Sequence, residues 1–178
     1  DTFELVQTPG MPGNVDVYVN GGFTGTLVAP TEIQVLGSND DDILTVNSTN
    51  GLIDLPGGIR FFGGSGQDGL VLTQTGGPER ELERVEPGSN PGQGTSIISD
   101  GAADQIVYFE GLEPIQSNVP AASFTIAAFP AAASILQSNN AINYSAHPLN
   151  NTFGRVTIDS FEPIDFQNKG TLVIDAGA

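Results

Sequence analysis

Short apolar runs of four to eight residues, punctuated by Gly, Asp and Asn, set the pattern of this chain. Branched apolar residues at every second position are what a half-buried strand requires, because successive side chains point to opposite faces. On that period the chain predicts strands over 33–36, 43–46, 59–62, 70–73, 82–85, 96–98, 106–109, 124–127, 135–137, 142–145, 156–158 and 171–174. Residues 1–30 alternate in the same way around Asn20-Gly21-Gly22, a tight-turn signal. They predict a strand pair that caps or joins the body of the fold from residue 31 onward. Helical period is confined to one expected turn where Pro130 precedes Ala131, Ala132 and Ala133.

Repeats organise the pattern. Gly63-Gly64-Ser65-Gly66-Gln67-Asp68-Gly69-Leu70-Val71 reads G-G-x-G-x-D-x-U-x, with U a large apolar residue. This is the calcium-binding nonapeptide of parallel β-rolls. Leu36-Gly37-Ser38-Asn39-Asp40-Asp41-Asp42-Ile43-Leu44 aligns with it when Asp41 is set against Asp68 and Ile43 against Leu70, an offset of 27 residues. A fainter copy, Ser99 to Val107, keeps Asp104 and Ile106. Its larger offset leaves a polar insert near 76–94. A second repeat matches Val107–Ile115 to Val156–Ile164, with Glu-Pro at 113–114 and 162–163 and with Leu112/Phe161 and Ile115/Ile164 as expected stacked core pairs. Copies spaced by one or two units of about 25 residues are the mark of a stacked solenoid. The expected fold is therefore all-β, a right-handed parallel β-helix over 31–178, with Ile43 and Leu70 in one apolar column. A β-sandwich is the alternative, since regularly spaced short strands also build sandwiches.

The ordered set Asn39–Val46, Gly63–Leu72 and Tyr108–Ile115 resembles a repeat module of very large secreted or surface proteins of planctomycete-type bacteria, with hemolysin-type (RTX-like) nonapeptide turns. The resemblance implies an extracellular, repetitive, β-helical segment whose neighbours are further repeats of the same chain. It implies no reaction.

Composition narrows the partners. The chain carries 21 acidic against 5 basic side chains, a formal charge of −16. That field repels nucleic acid and anionic lipid surfaces and attracts divalent cations. No run of 18 apolar residues exists to insert into a membrane. With no Cys, disulfides and thiolate metal sites are excluded. The oxygens that suit a hard cation such as Ca²⁺ are the carboxylates of Asp40, Asp41, Asp42 and Asp68 with the carbonyls of Gly64 and Gly66. The same Asp residues can instead cap their turns by accepting nearby amides.

Enzymatic readings find less support. The charged run Glu79–Glu86 reads as a solvated loop or edge strand whose charges block edge-to-edge pairing. His147, the single histidine, falls in an Asn-rich loop with nothing beside it that makes zinc or triad chemistry. Cell-surface or matrix glycans are the other partners that suit a β-helix, either bound or processed by a lyase or hydrolase. There is no Trp, only three Tyr, and few bases to abstract a proton. The sequence thus favours a non-catalytic structural or adhesive module, stiffened by Ca²⁺, over a polysaccharide-binding or polysaccharide-processing domain.

Overall fold

A computed structural model describes residues 1–127, 141–159 and 161–175. The expected strand over 135–137 and the helical turn at Pro130 lie outside the described residues. Among these residues the chain forms sixteen strands. In chain order they are β1 (Thr2–Gln7), β2 (Asn14–Val19), β3 (Gly22–Val28), β4 (Ile33–Leu36), β5 (Ile43–Asn47), β6 (Ile59–Phe62), β7 (Gly69–Thr73) and β8 (Arg80–Pro87). They continue as β9 (Gly94–Ser99), β10 (Asp104–Glu110), β11 (Ile115–Ser117), β12 (Ala121–Ala127), β13 (Ile142–Ala146), β14 (Gly154–Ile158), β15 (Ile164–Phe166) and β16 (Lys169–Asp175).

Two mixed sheets result. One has nine strands in the order β13-β14-β15-β11-β7-β5-β1-β2-β3, the other seven in the order β16-β12-β8-β9-β10-β6-β4. A single apolar cluster draws on both: Leu44, Leu70, Ile115 and Ile164 come from the first sheet, and Phe61, Val85, Phe109 and Phe124 from the second. The architecture is sandwich-like, and the parallel β-helix expected from the repeats is not what the chain builds. Eight strand pairs are parallel, yet six are antiparallel hairpin-type pairs that a continuous β-helix does not contain.

Local turn chemistry explains the departure. Asn20 and Gly21 both take positive φ, 51° and 75°, the conformation of a two-residue hairpin turn, and they fold β3 back on β2. At the fainter nonapeptide, Asp100 Oδ1 accepts the amides of Ala102 (3.1 Å) and Ala103 (3.0 Å). This Asx turn, with Gly101 at φ 84°, reverses the chain between β9 and β10. A stretch expected to be a coil corner is therefore a hairpin turn. The insert near 76–94 likewise holds a strand of eight residues. Its β8 lies inside the seven-stranded sheet between β12 and β9, so the charged run 79–86 is neither a loop nor an edge.

The register between the two best repeats also differs from the expected one. β5 and β7 are parallel neighbours, but Leu44 stands opposite Leu70 and Ile43 opposite Gly69. Leu44, Val46, Leu70 and Leu72 are fully buried, whereas Ile43 points away from the core and is 40% exposed. A shift of one residue exchanges the faces of a strand, so the repeat length is 26 residues rather than 27. The second repeat keeps its alignment, because Ile115 pairs with Ile164 in parallel and Leu112 and Phe161 are buried.

Candidate functional site

The four parallel strands β5, β7, β11 and β15 carry one row of core residues, Leu44–Leu70–Ile115–Ile164. Two residues before each member stands an acid: Asp42, Asp68, Glu113 and Glu162. All four stand in the turns that lead into neighbouring parallel strands, so they form a column of acids along that end of the sheet. Asp42 (0% exposed), Asp68 (1%) and Glu162 (6%) are buried, and Glu113 is exposed.

Three of the four accept backbone amides. Asp42 Oδ2 accepts the Ser38 amide (2.6 Å) and hydroxyl (3.1 Å), and its Oδ1 lies 2.8 Å from the Asp1 amine. Asp68 Oδ1 accepts the Asp42 amide at 2.8 Å, while Oδ2 is buried with no hydrogen-bond partner. Glu162 Oε2 accepts the Gly92 amide at 2.5 Å, which pins the 88–93 loop over the column. Burial pushes the Glu162 carboxyl upward, and the neighbouring Glu113 adds to the rise.

The turns that carry the column lie against one another. Backbone bonds climb through them from Gly69 to Asp42 (2.8 Å), from Glu113 to Asp68 (2.6 Å) and from Ile115 to Pro163 (3.1 Å). Glycine is required where two turns touch. A Cβ on Gly37 would sit 2.0 Å from the Gly63 carbonyl, and one on Gly63 would sit 2.3 Å from the Gly111 carbonyl. Gly64 and Gly66 adopt φ of 102° and 139°, and side chains there would meet the Ser38 carbonyl (2.2 Å) and the Asp40 backbone (2.8 Å). The nonapeptide glycines thus serve close turn-on-turn contact.

Of the six residues expected to ligate calcium, Asp42 and Asp68 enter the column. Asp41 Oδ1 instead accepts the Gln67 amide (2.8 Å), and Asp40 accepts the Ser38 hydroxyl. The carbonyl of Ser38, not of Gly64 or Gly66, takes the next turn's amide, from Ser65 at 3.1 Å. Among the described residues, no group of three or more His, Cys, Asp or Glu side chains is arranged to hold a metal ion. Asp104 does not join the column, because it begins β10 in the other sheet.

Glu113 and Glu162 are legible in the sequence as a repeat but not as partners of the Asp residues. The shared signal is an acid, any residue, then a large apolar residue, which recurs at 42–44, 68–70, 113–115 and 162–164. His147 is only partly exposed: its Nδ1 accepts the amides of Leu149 (3.1 Å) and Asn150 (3.0 Å), and its Nε2 lies 3.5 Å from Asp165. Asp165 is held at both oxygens by Arg155 (2.6 and 2.7 Å), so this cluster braces the β14–β15 pair.

No family model, curated protein or solved structure matches this chain.

Proposed function

We propose that the chain is a non-catalytic structural module of an extracellular bacterial surface protein, an acidic spacer between neighbouring units. The observation that carries this reading is the acid column. Three of its carboxylates, Asp42, Asp68 and Glu162, each accept a backbone amide, and two of those bonds join separate segments, so these acids are fixed in the framework. A general acid or base needs an oxygen free to reach a substrate proton, and amide-bonded turn caps are poorly placed for that.

Divalent cations belong to the same reading. With acids in four neighbouring turns and a net charge of −16, Ca²⁺ gathers along the column and relieves self-repulsion. Because the described carboxylates do not converge on one point, the effect is that of a counter-ion field, and Mg²⁺ should serve nearly as well. Thermal unfolding in CaCl₂, MgCl₂ and NaCl at matched ionic strength tests this. Both divalent salts should raise Tm above the NaCl value. Equal melting in all three would remove ions from the account.

The spacer role itself is tested by pulling the domain between flanking reference domains in a force spectrometer. One high-force, all-or-none rupture is expected. Extension at low force in several small steps, or turnover of a polysaccharide by the isolated domain, would contradict it.

A further inference from the structure

Three side chains meet in the core: Glu83 on β8, Ser117 on β11 and Lys169 on β16. Glu83 and Ser117 are fully buried, and the Lys169 side chain is 3% exposed. Lys169 Nζ lies 2.6 Å from Glu83 Oε2 and 2.9 Å from Ser117 Oγ, and donates to the Val119 carbonyl. The Ser117 hydroxyl also reaches Glu83 Oε2, at 3.0 Å. The Phe124 ring closes one side, 5.2 Å from the amine. The second Glu83 oxygen, Oε1, is buried without a hydrogen-bond partner.

As an ion pair this arrangement is expensive. Each charge removed from water costs several kcal/mol, and an unpartnered carboxylate oxygen adds to that cost. Burial pushes the Lys169 amine below its ordinary value, toward the neutral form that can act as a nucleophile. A neutral Nζ is then held against the Glu83 carboxyl group by the surrounding strands.

We propose that Lys169 and Glu83 condense into a side-chain amide that staples β16 to β8. Nζ attacks Glu83 Cδ, a C–N bond forms and a C–O bond breaks. The protons leave with the departing oxygen as one water, with the Ser117 hydroxyl relaying between nitrogen and oxygen. The step needs no oxidant, reductant or co-reactant. Ammonium and carboxylate vanish together, so net charge is unchanged. Of the two carboxylate oxygens, Oε2, the one that Nζ and the Ser117 hydroxyl touch, leaves as water with both protons, and Oε1 becomes the amide carbonyl. The remaining N–H keeps the Val119 carbonyl.

The linkage joins residues 86 apart in sequence, across β12, in a chain without cysteine. It would act on the unfolded chain as a disulfide does. It is independent of the spacer reading and of any ion.

Mass spectrometry of the denatured full chain tests it, with Lys169→Met as control. The folded wild type should be one water lighter than its sequence and should release, on proteolysis, a branched peptide joining the Glu83 and Lys169 segments. Lys169→Met should keep its full mass, and Ser117→Ala should lose water more slowly. A folded wild type that retains its full mass after prolonged incubation, or loses water without the branched peptide, overturns the proposal. The wild type decides this by itself, whether or not the variants fold.

Discussion

A single residue, Glu162, shows how the acid column sets a pH response. Its carboxyl is raised by burial and by Glu113, so the folded state binds a proton more tightly than the unfolded chain does. For a raised carboxyl, the stabilisation is complete below the unfolded value and is lost as pH climbs through the folded one. Glu162→Gln keeps an acceptor for the Gly92 amide and removes that loss. The variant should melt above the wild type at pH 7, and the gap should close in acid, as thermal scans over a pH series will show. Leu70, at the centre of the row and fully buried, makes the complementary case. Leu70→Ala should cost about 2–5 kcal/mol in urea unfolding, through lost transfer energy and the cavity left behind. Exposed Ile43→Ala should cost far less. That contrast checks the 26-residue register by stability alone. The residue types are readable from sequence, since Asp68 and Leu70 stand where the nonapeptide puts them. The register is not, because Asp40, Asp41 and Asp42 offer three alignments and only packing chooses between Ile43 and Leu44.

At the scale of elements, turns and buried ions do the organising. Gly37 and Gly63 are held to a missing Cβ by a facing carbonyl, while Gly10 has open space around the same position. Gly37→Ala and Gly63→Ala should each lower the urea midpoint through forced backbone shifts of about 1–3 kcal/mol. Gly10→Ala carries only the strain of its positive φ and should cost less. Strand β8 holds a different lesson. Arg80 is 4% exposed and donates to Gln74 (2.7 Å), to the Ser48 carbonyl (2.9 Å) and to Asp100 (3.4 Å). Arg80→Ala strips all three partners and should destabilise by about 1–3 kcal/mol, the cost of leaving the buried Gln74 and Ser48 acceptors without a donor. The sequence suggests a solvated run here because six of its eight side chains are charged. Period-2 parity already places Glu83 with Val85. What it cannot supply is Lys169, a partner 86 residues away. The short strands β11 and β15 escape for a simpler reason: three residues after a proline hold too little alternation to register as a strand.

Over the whole molecule, two tendencies compete. Apolar alternation with glycine corners favours parallel neighbours, and β5, β7, β11 and β15 obey it. Asn-Gly and Asx turns favour hairpins, and β2–β3, β9–β10 and β13–β14 obey those. Repeat spacing reports the first tendency and is blind to the second, which is why it predicts a β-helix where two mixed sheets are found. The most direct test of the resulting core is a methyl NOE spectrum of Ile- and Leu-labelled protein. Cross-peaks should run from Leu44 to Leu70, from Leu70 to Ile115 and from Ile115 to Ile164, with none from Ile43 to Leu70. A strong Ile43–Leu70 peak and silence from Leu44 would contradict the register, and with it the column of acids that the functional reading rests on.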